Sequence, residues 1–125
     1  RIWWRLADII LLRAECAARL GDTETAIKDL NRVRARANAK LYDASEYEGD
    51  VRYAVYKERE KELLFEGYRY YDIIRNGYYK TELEGGFRTA SEQDFRDGAF
   101  FLVIWVTSMD NNPAIRQNKY WLKYF

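Results

Sequence analysis

The sequence contains no histidine. That removes Ser-His-Asp and Cys-His nucleophile pairs, His-ligated zinc and the usual acid/base group of neutral pH. Cys16 is the sole cysteine, so neither an internal disulfide nor a thiolate metal cluster can form. Net charge is also nearly absent: 21 Lys and Arg stand against 20 Asp and Glu, giving +1. No global field draws the chain to nucleic acid or to an acidic membrane surface. No apolar run approaches the roughly 20 residues needed to span a bilayer. Carboxylate-only chemistry stays open.

What is present reads as a folded unit. Of 125 residues, 48% are hydrophobic and 33% charged, which argues against disorder and for a single domain over 1–125. A chain this long buries roughly two thirds of its unfolded surface. Aromatic residues reach 17%. Their rings stack on flat ligands such as sugars, but most serve the core. The chain opens on Arg1-Ile2-Trp3-Trp4 with no initiator Met, no charged leader and no cleavage site. The expectation is a piece of a longer polypeptide.

Residues 1–40 read as a helical hairpin. From Trp3 to Leu20, Ile9, Leu12, Cys16 and Leu20 form one apolar stripe, while Leu6, Ile10, Ala14 and Ala17 form another. A helix apolar over so much of its surface calls for partners on two sides, and only one follows in this sequence. The second is expected in a preceding segment; without it, the exposed face should drive self-association. Gly21-Asp22 ends this helix, and Asp22 or Thr23 caps the next, which runs to about Ala39 with Ala26, Leu30, Val33 and Ala37 inward. Ala14, Gly21 and Ala26 match the small positions of a tetratricopeptide-like unit, which buries a continuous core only when stacked. Lys28, Arg32 and Arg36 share a face of the second helix. That stripe reads either as a phosphate comb or as a solvated face complementing the helix C-terminus, and the neutral total favours the latter.

A polar connection leads to a long helix over 51–76, ending at Gly77 and about 38 Å in length. Tyr56, Leu63, Leu64, Gly67, Tyr68, Tyr71 and Ile74 lie near one face of it. Glu58, Glu62 and Glu66 form a like-charged ladder at i, i+4, and Arg59, Arg69 and Arg75 stand three residues from Glu62, Asp72 and Asp72. The ladder reads as a metal or acid/base site, or as locking between helices. The interspersed arginines favour locking. Gly67 in mid-helix implies another backbone close by. Residues 77–125 form an irregular C-terminal segment. In it Ser91 opens a short helix closed by Gly98, the apolar run Phe100–Val106 reads as a buried strand or an extended crossing, and Asn111-Asn112-Pro113 marks a turn. Trp121, Tyr124 and Phe125 stack on a sugar or anchor the end of the chain. The fold class is therefore mainly α: a tetratricopeptide-like hairpin, a long helix and an irregular remainder.

Three stretches resemble the C-terminal part of the SusD/RagB family of nutrient-binding outer-membrane lipoproteins. The first is Leu6 to Glu15 with Gly21-Asp22 and Leu30 to Ala37. The second and most specific is Glu58-Arg59, Glu62-Leu63, Phe65-Glu66-Gly67, Arg69, Asp72-Ile73 and Arg75, which repeats the family's "ER, EL, FEG, R, D, R" at the same spacings. The third is Ile104 to Tyr120, where Asn112-Pro113, Ile115 and Gln117-Asn118 match, although Val103 and Trp105 replace prolines and Ser108 replaces a usual Glu. The resemblance implies a non-catalytic surface protein, lipid-anchored through an N-terminus upstream of Arg1, without cofactor. Such a protein captures an oligosaccharide or, in some members, a peptide. It passes the ligand to a SusC-like TonB-dependent transporter in the outer membrane. Ligand loops lie mostly upstream, so no ligand residue is assigned, and the matched residues read as architectural. Two other readings compete. A stand-alone helical-repeat module that binds protein partners needs more repeats than this chain holds. A hydrolase using Glu58, Glu62 or Glu66 needs two carboxylates roughly 5–10 Å apart across an open cleft.

Overall fold

The structure, a computed structural model, describes residues 4–110, 112 and 114–124. Among these the regular elements are all helical, and the chain forms two compact units, 1–72 and 73–125.

In the first unit, α1 (Leu6–Arg19) and α2 (Thr23–Arg36) make the hairpin, and α3 (Val51–Glu62) packs across both. The turn between α1 and α2 follows from Gly21, whose φ of +82° only glycine adopts cheaply. It lets Asp22 N–H reach the Ala17 carbonyl at 2.9 Å and Gly21 N–H the Ala18 carbonyl at 3.2 Å, a Schellman closure. The Asp22 carboxylate then accepts from Thr25 N–H at 3.0 Å and caps α2. Asn38, at φ +53°, closes α2 in the same way. Ile10, Leu11, Ala14 and Ala17 meet Ala26, Leu30 and Val33 of α2 and Val51, Ala54 and Val55 of α3. Each fully buried leucine here contributes about 1.5–3 kcal/mol. Leu11, which belongs to neither expected stripe, is fully buried, whereas Ile9, Cys16 and Leu20 are exposed.

The long helix over 51–76 is not continuous. It breaks into α3 and α4 (Arg69–Asn76), separated by a turn in which Phe65 and Gly67 both take left-handed backbone, at φ +64° and +87°. Nothing lies within 4 Å of where a Gly67 Cβ would stand, so this glycine serves dihedral geometry and not close backbone approach. With the break, the supposed common face disperses: Tyr56 and Leu63 are buried, while Leu64 and Tyr71 are exposed. No helix among the described residues is long and apolar enough to cross a membrane.

In the second unit, α5 (Tyr79–Glu82) and α6 (Glu92–Arg96) bring Tyr79, Phe95 and Phe100 into one aromatic cluster with ring centroids 4.7–5.6 Å apart. Ser91 and Asp94 form a full capping box on α6. Two further short helices follow, α7 (Val106–Asp110) and α8 (Lys119–Leu122). The run Phe100–Val106 is no buried strand. Phe100 is inside, but Phe101, Leu102, Trp105 and Val106 are exposed and the segment is irregular up to α7. Hydrophobicity alone does not bury a stretch when no element packs over it.

The caps make the hairpin sensitive to acid. Hydrogen bonds from Thr25 hold the Asp22 carboxyl below its ordinary value of 3.8. Its contribution is therefore complete above about pH 4 and disappears as pH falls through the lowered folded value. Asp22→Asn should match the parent at pH 7 and lose less stability between pH 5 and pH 2, as read by denaturant midpoints. Asp50, which caps α3 through Tyr53 N–H at 2.9 Å, should cost about 1 kcal/mol when changed to Ala.

Candidate functional site

The acids of α3 and the turn after it are met by arginines from other segments. Glu58 accepts from Arg34 Nε at 2.8 Å, and the same guanidinium reaches Glu46 at 3.0 Å. Arg34 is almost fully buried. Burial opposes its charge, but the hydrogen bonds to Glu46 and Glu58 outweigh it and hold the guanidinium protonated more firmly than usual. The same bond keeps the Glu46 carboxyl below the ordinary range. Glu62 is bonded by Arg5 and, at 2.6 Å, by Arg36. Glu66 receives Arg5 Nε at 2.9 Å. The hydrogen bonds to Glu66 and Glu62 raise the Arg5 pKa above its usual value.

Arg59 is the most enclosed of these residues, with 1% of its side chain exposed. Its Nε donates to Asp72 Oδ2 at 2.9 Å and its Nη1 to the Asp8 carbonyl at 3.2 Å. Its Nη2 lies 2.8 Å from Asp8 Oδ1, a close charge contact without hydrogen-bond alignment. Arg59 therefore ties α1, α3 and α4 together, and its neighbour Glu62 on α3 belongs to Arg5 and Arg36 instead. Arg69 lies 3.1 Å from Glu60 and over the Tyr56 ring at 4.4 Å. Arg75 is exposed on α4. Asp29, which no motif singled out, is buried and held by both arms of Arg13 at 2.6 Å.

The matched residues of the second unit are also engaged. The Gln117 amide bonds both backbone groups of Ile104. Asn118 precedes α8 and lies against Gly98, where an added Cβ would stand 2.9 Å from its Cγ. The Asn112 side chain accepts from Ala114 N–H at 3.1 Å. Trp121 Nε1 donates to the Phe101 carbonyl at 2.9 Å, so its indole edge holds the chain in place. Pro113 and Phe125 lie outside the described residues.

This geometry suits fastening. A general acid or base needs a carboxyl whose proton can reach a substrate, and Glu58, Glu62 and Glu66 each accept from arginine. Among the described residues no group of three or more potential ligands is placed to hold a metal ion. A hollow of about 370 Å³ beside the Leu63–Tyr68 turn is lined by Leu63, Leu64, Phe65 and Tyr68 together with two charge pairs, Arg59 with Asp72 and Arg69 with Glu60.

Arg59→Ala leaves two buried carboxylates facing each other and should cost about 3–5 kcal/mol. Adding Asp8→Asn and Asp72→Asn to it should recover a large part of that loss in chemical denaturation. Arg36→Ala, with its guanidinium largely in solvent, should cost well under 1 kcal/mol.

The SusD family model matches residues 1–122. SusD-like protein P38 of Formosa agariphila is 26% identical over 94% of this chain and 24% of that protein. SusD-like protein P25 of the same organism is 41% identical over 62% of this chain and 15% of that protein. The crystal structure of a SusD superfamily protein from Bacteroides thetaiotaomicron is similar with a TM-score of 0.75 and 25% identity, covering 96% of this chain and 26% of that one. The chain spans about a quarter or less of the length of each relative. Its motif spacings, its all-helical fold and these matches together establish that the chain belongs to the SusD family.

Proposed function

We propose that this chain is the C-terminal, structural part of a non-catalytic protein that captures glycans at the outer-membrane surface. The full-length protein is a lipoprotein anchored through its N-terminus, and it delivers its ligand to a SusC-like TonB-dependent transporter. The observation that carries this reading is the use of the charged motif. In a chain of the SusD family, Arg5, Arg34 and Arg36 bond Glu58, Glu62 and Glu66, the acidic side chains that a hydrolase would need. The hairpin and α3 then act as a rigid mount for ligand loops carried elsewhere in the protein.

Calorimetric titration of the full-length protein with panels of oligosaccharides and peptides tests the reading. Binding of an oligosaccharide that stays intact on prolonged incubation is the expected outcome. Binding of peptides alone would transfer the protein to the peptide-capturing members. Release of new reducing ends, lost in Glu58→Gln or Glu62→Gln, would overturn the non-catalytic assignment. A transporter of the TonB-dependent class should be retained with the full-length protein on affinity purification from detergent-solubilised membranes.

A further inference from the structure

The segment 101–105 is held at its start by a turn and at Ile104 by one side chain. The Gln117 side-chain amide donates to the Ile104 carbonyl at 2.8 Å and accepts from Ile104 N–H at 3.2 Å. A single amide meets both backbone groups of one residue only when they point the same way, as they do in extended chain. Trp121 Nε1 adds a bond to the Phe101 carbonyl at 2.9 Å. In extended chain the adjacent residues direct their N–H and C=O to the opposite edge. Val103 and Trp105 therefore face away from Gln117. Among the described residues, neither the Val103 backbone groups nor the Trp105 N–H has a hydrogen-bond partner. Among the described residues the Trp105 carbonyl accepts Ser108 N–H alone, at 2.9 Å, which leaves a second lone pair.

Apart from its shortness, that edge has none of the usual guards. Neither residue is proline, no charged residue occurs between Ala99 and Thr107, and Leu102 and Trp105 are 91% and 65% exposed. We propose that it pairs antiparallel with the same edge of a second copy of this chain. A two-fold axis through Ile104 sets Val103 opposite Trp105 of the second copy. The Val103 N–H then meets the Trp105 carbonyl and the Trp105 N–H the Val103 carbonyl, each twice, in an isologous contact. The uncharged run brings no like charges together, so the edge is complementary to itself. A strand pair this short buries less than the roughly 1,200 Å² of a stable interface, which makes the dimer weak, half-formed at roughly 0.1–1 mM.

Backbone amide spectra of the 125-residue chain, recorded from about 10 µM to about 1 mM, test the pairing together with sedimentation equilibrium. The Val103 and Trp105 amides should shift with concentration and gain about two- to fivefold protection from hydrogen exchange at 1 mM as the dimer forms. Val103→Pro removes one donor while keeping extended backbone and should abolish these changes. Val103→Thr keeps the donor and should dimerise like the parent. Three results would each overturn the proposal: no concentration dependence at these amides, dimerisation of Val103→Pro equal to the parent, or association abolished by Ile9→Glu but not by Val103→Pro. A response of the two amides only to an added unrelated strand-forming peptide would likewise replace the second copy with a foreign strand.

Discussion

One buried guanidinium organises the first unit. Arg59 is enclosed by the side chains of Asp8 and Asp72, from α1 and α4. Two carboxylates on one arginine leave a net negative charge in a poorly solvated place, which is a costly arrangement and weak evidence for stability. Its value lies in specificity, because few packings of these helices bring a carboxylate from each side onto the same fork. The arrangement also dictates the break between α3 and α4. Along one continuous helix, residues 59 and 72 would stand about 20 Å apart. They are bonded at 2.9 Å because the turn at Leu63–Tyr68 interrupts the helix between them. The left-handed backbone at Phe65 and Gly67 is thus the local consequence of a contact made elsewhere.

Local signals carry through from sequence to structure, and long-range ones do not. Gly21 with Asp22, and Ser91 with Gly98, mark helix ends because capping is decided within four or five residues. The second stripe of α1 is largely buried as its spacing implies. The partners of the arginines are another matter. Arg59 and Asp8 are 51 positions apart, and Arg5 and Glu66 are 61 apart; nothing in the periodicity joins them. The break after Glu62 is hidden in the sequence because apolar residues continue at helical spacing through it, and its one visible sign, Gly67, serves backbone dihedrals and not packing. Phe100–Val106 misled in the opposite direction, since its composition signals burial and only Phe100 is inside.

The basic stripe of α2 shows how the same constraint limits what the surface offers. Lys28, Arg32 and Arg36 share a face, but Arg36 bonds Glu62, and Arg34 one step away is buried against Glu46 and Glu58. A comb for phosphates needs several cations free to release counterions. Here much of the positive charge answers carboxylates of the same unit, as a total of 21 basic and 20 acidic residues allows.

Beyond the first few ångströms this surface therefore exerts little net electrostatic force. Paired surface charges create little field beyond a Debye length of about 8 Å, so they neither steer a charged ligand nor repel a neutral one. Beside its charged side chains the surface carries exposed apolar and aromatic ones: Ile9 and Leu20 on α1, Phe65 in the turn at 97% exposure, and Leu102 and Trp105 in the second unit. A bulky residue in left-handed backbone with its ring fully in water gains nothing from burial that would offset its strain. Arg59 fixes the turn, and the turn then holds that ring outward. The ion pairs inside the unit and the apolar display outside it are thus two faces of one arrangement. The acids of α3 and of the turn after it are engaged by arginines, while uncharged rings stand in the solvent.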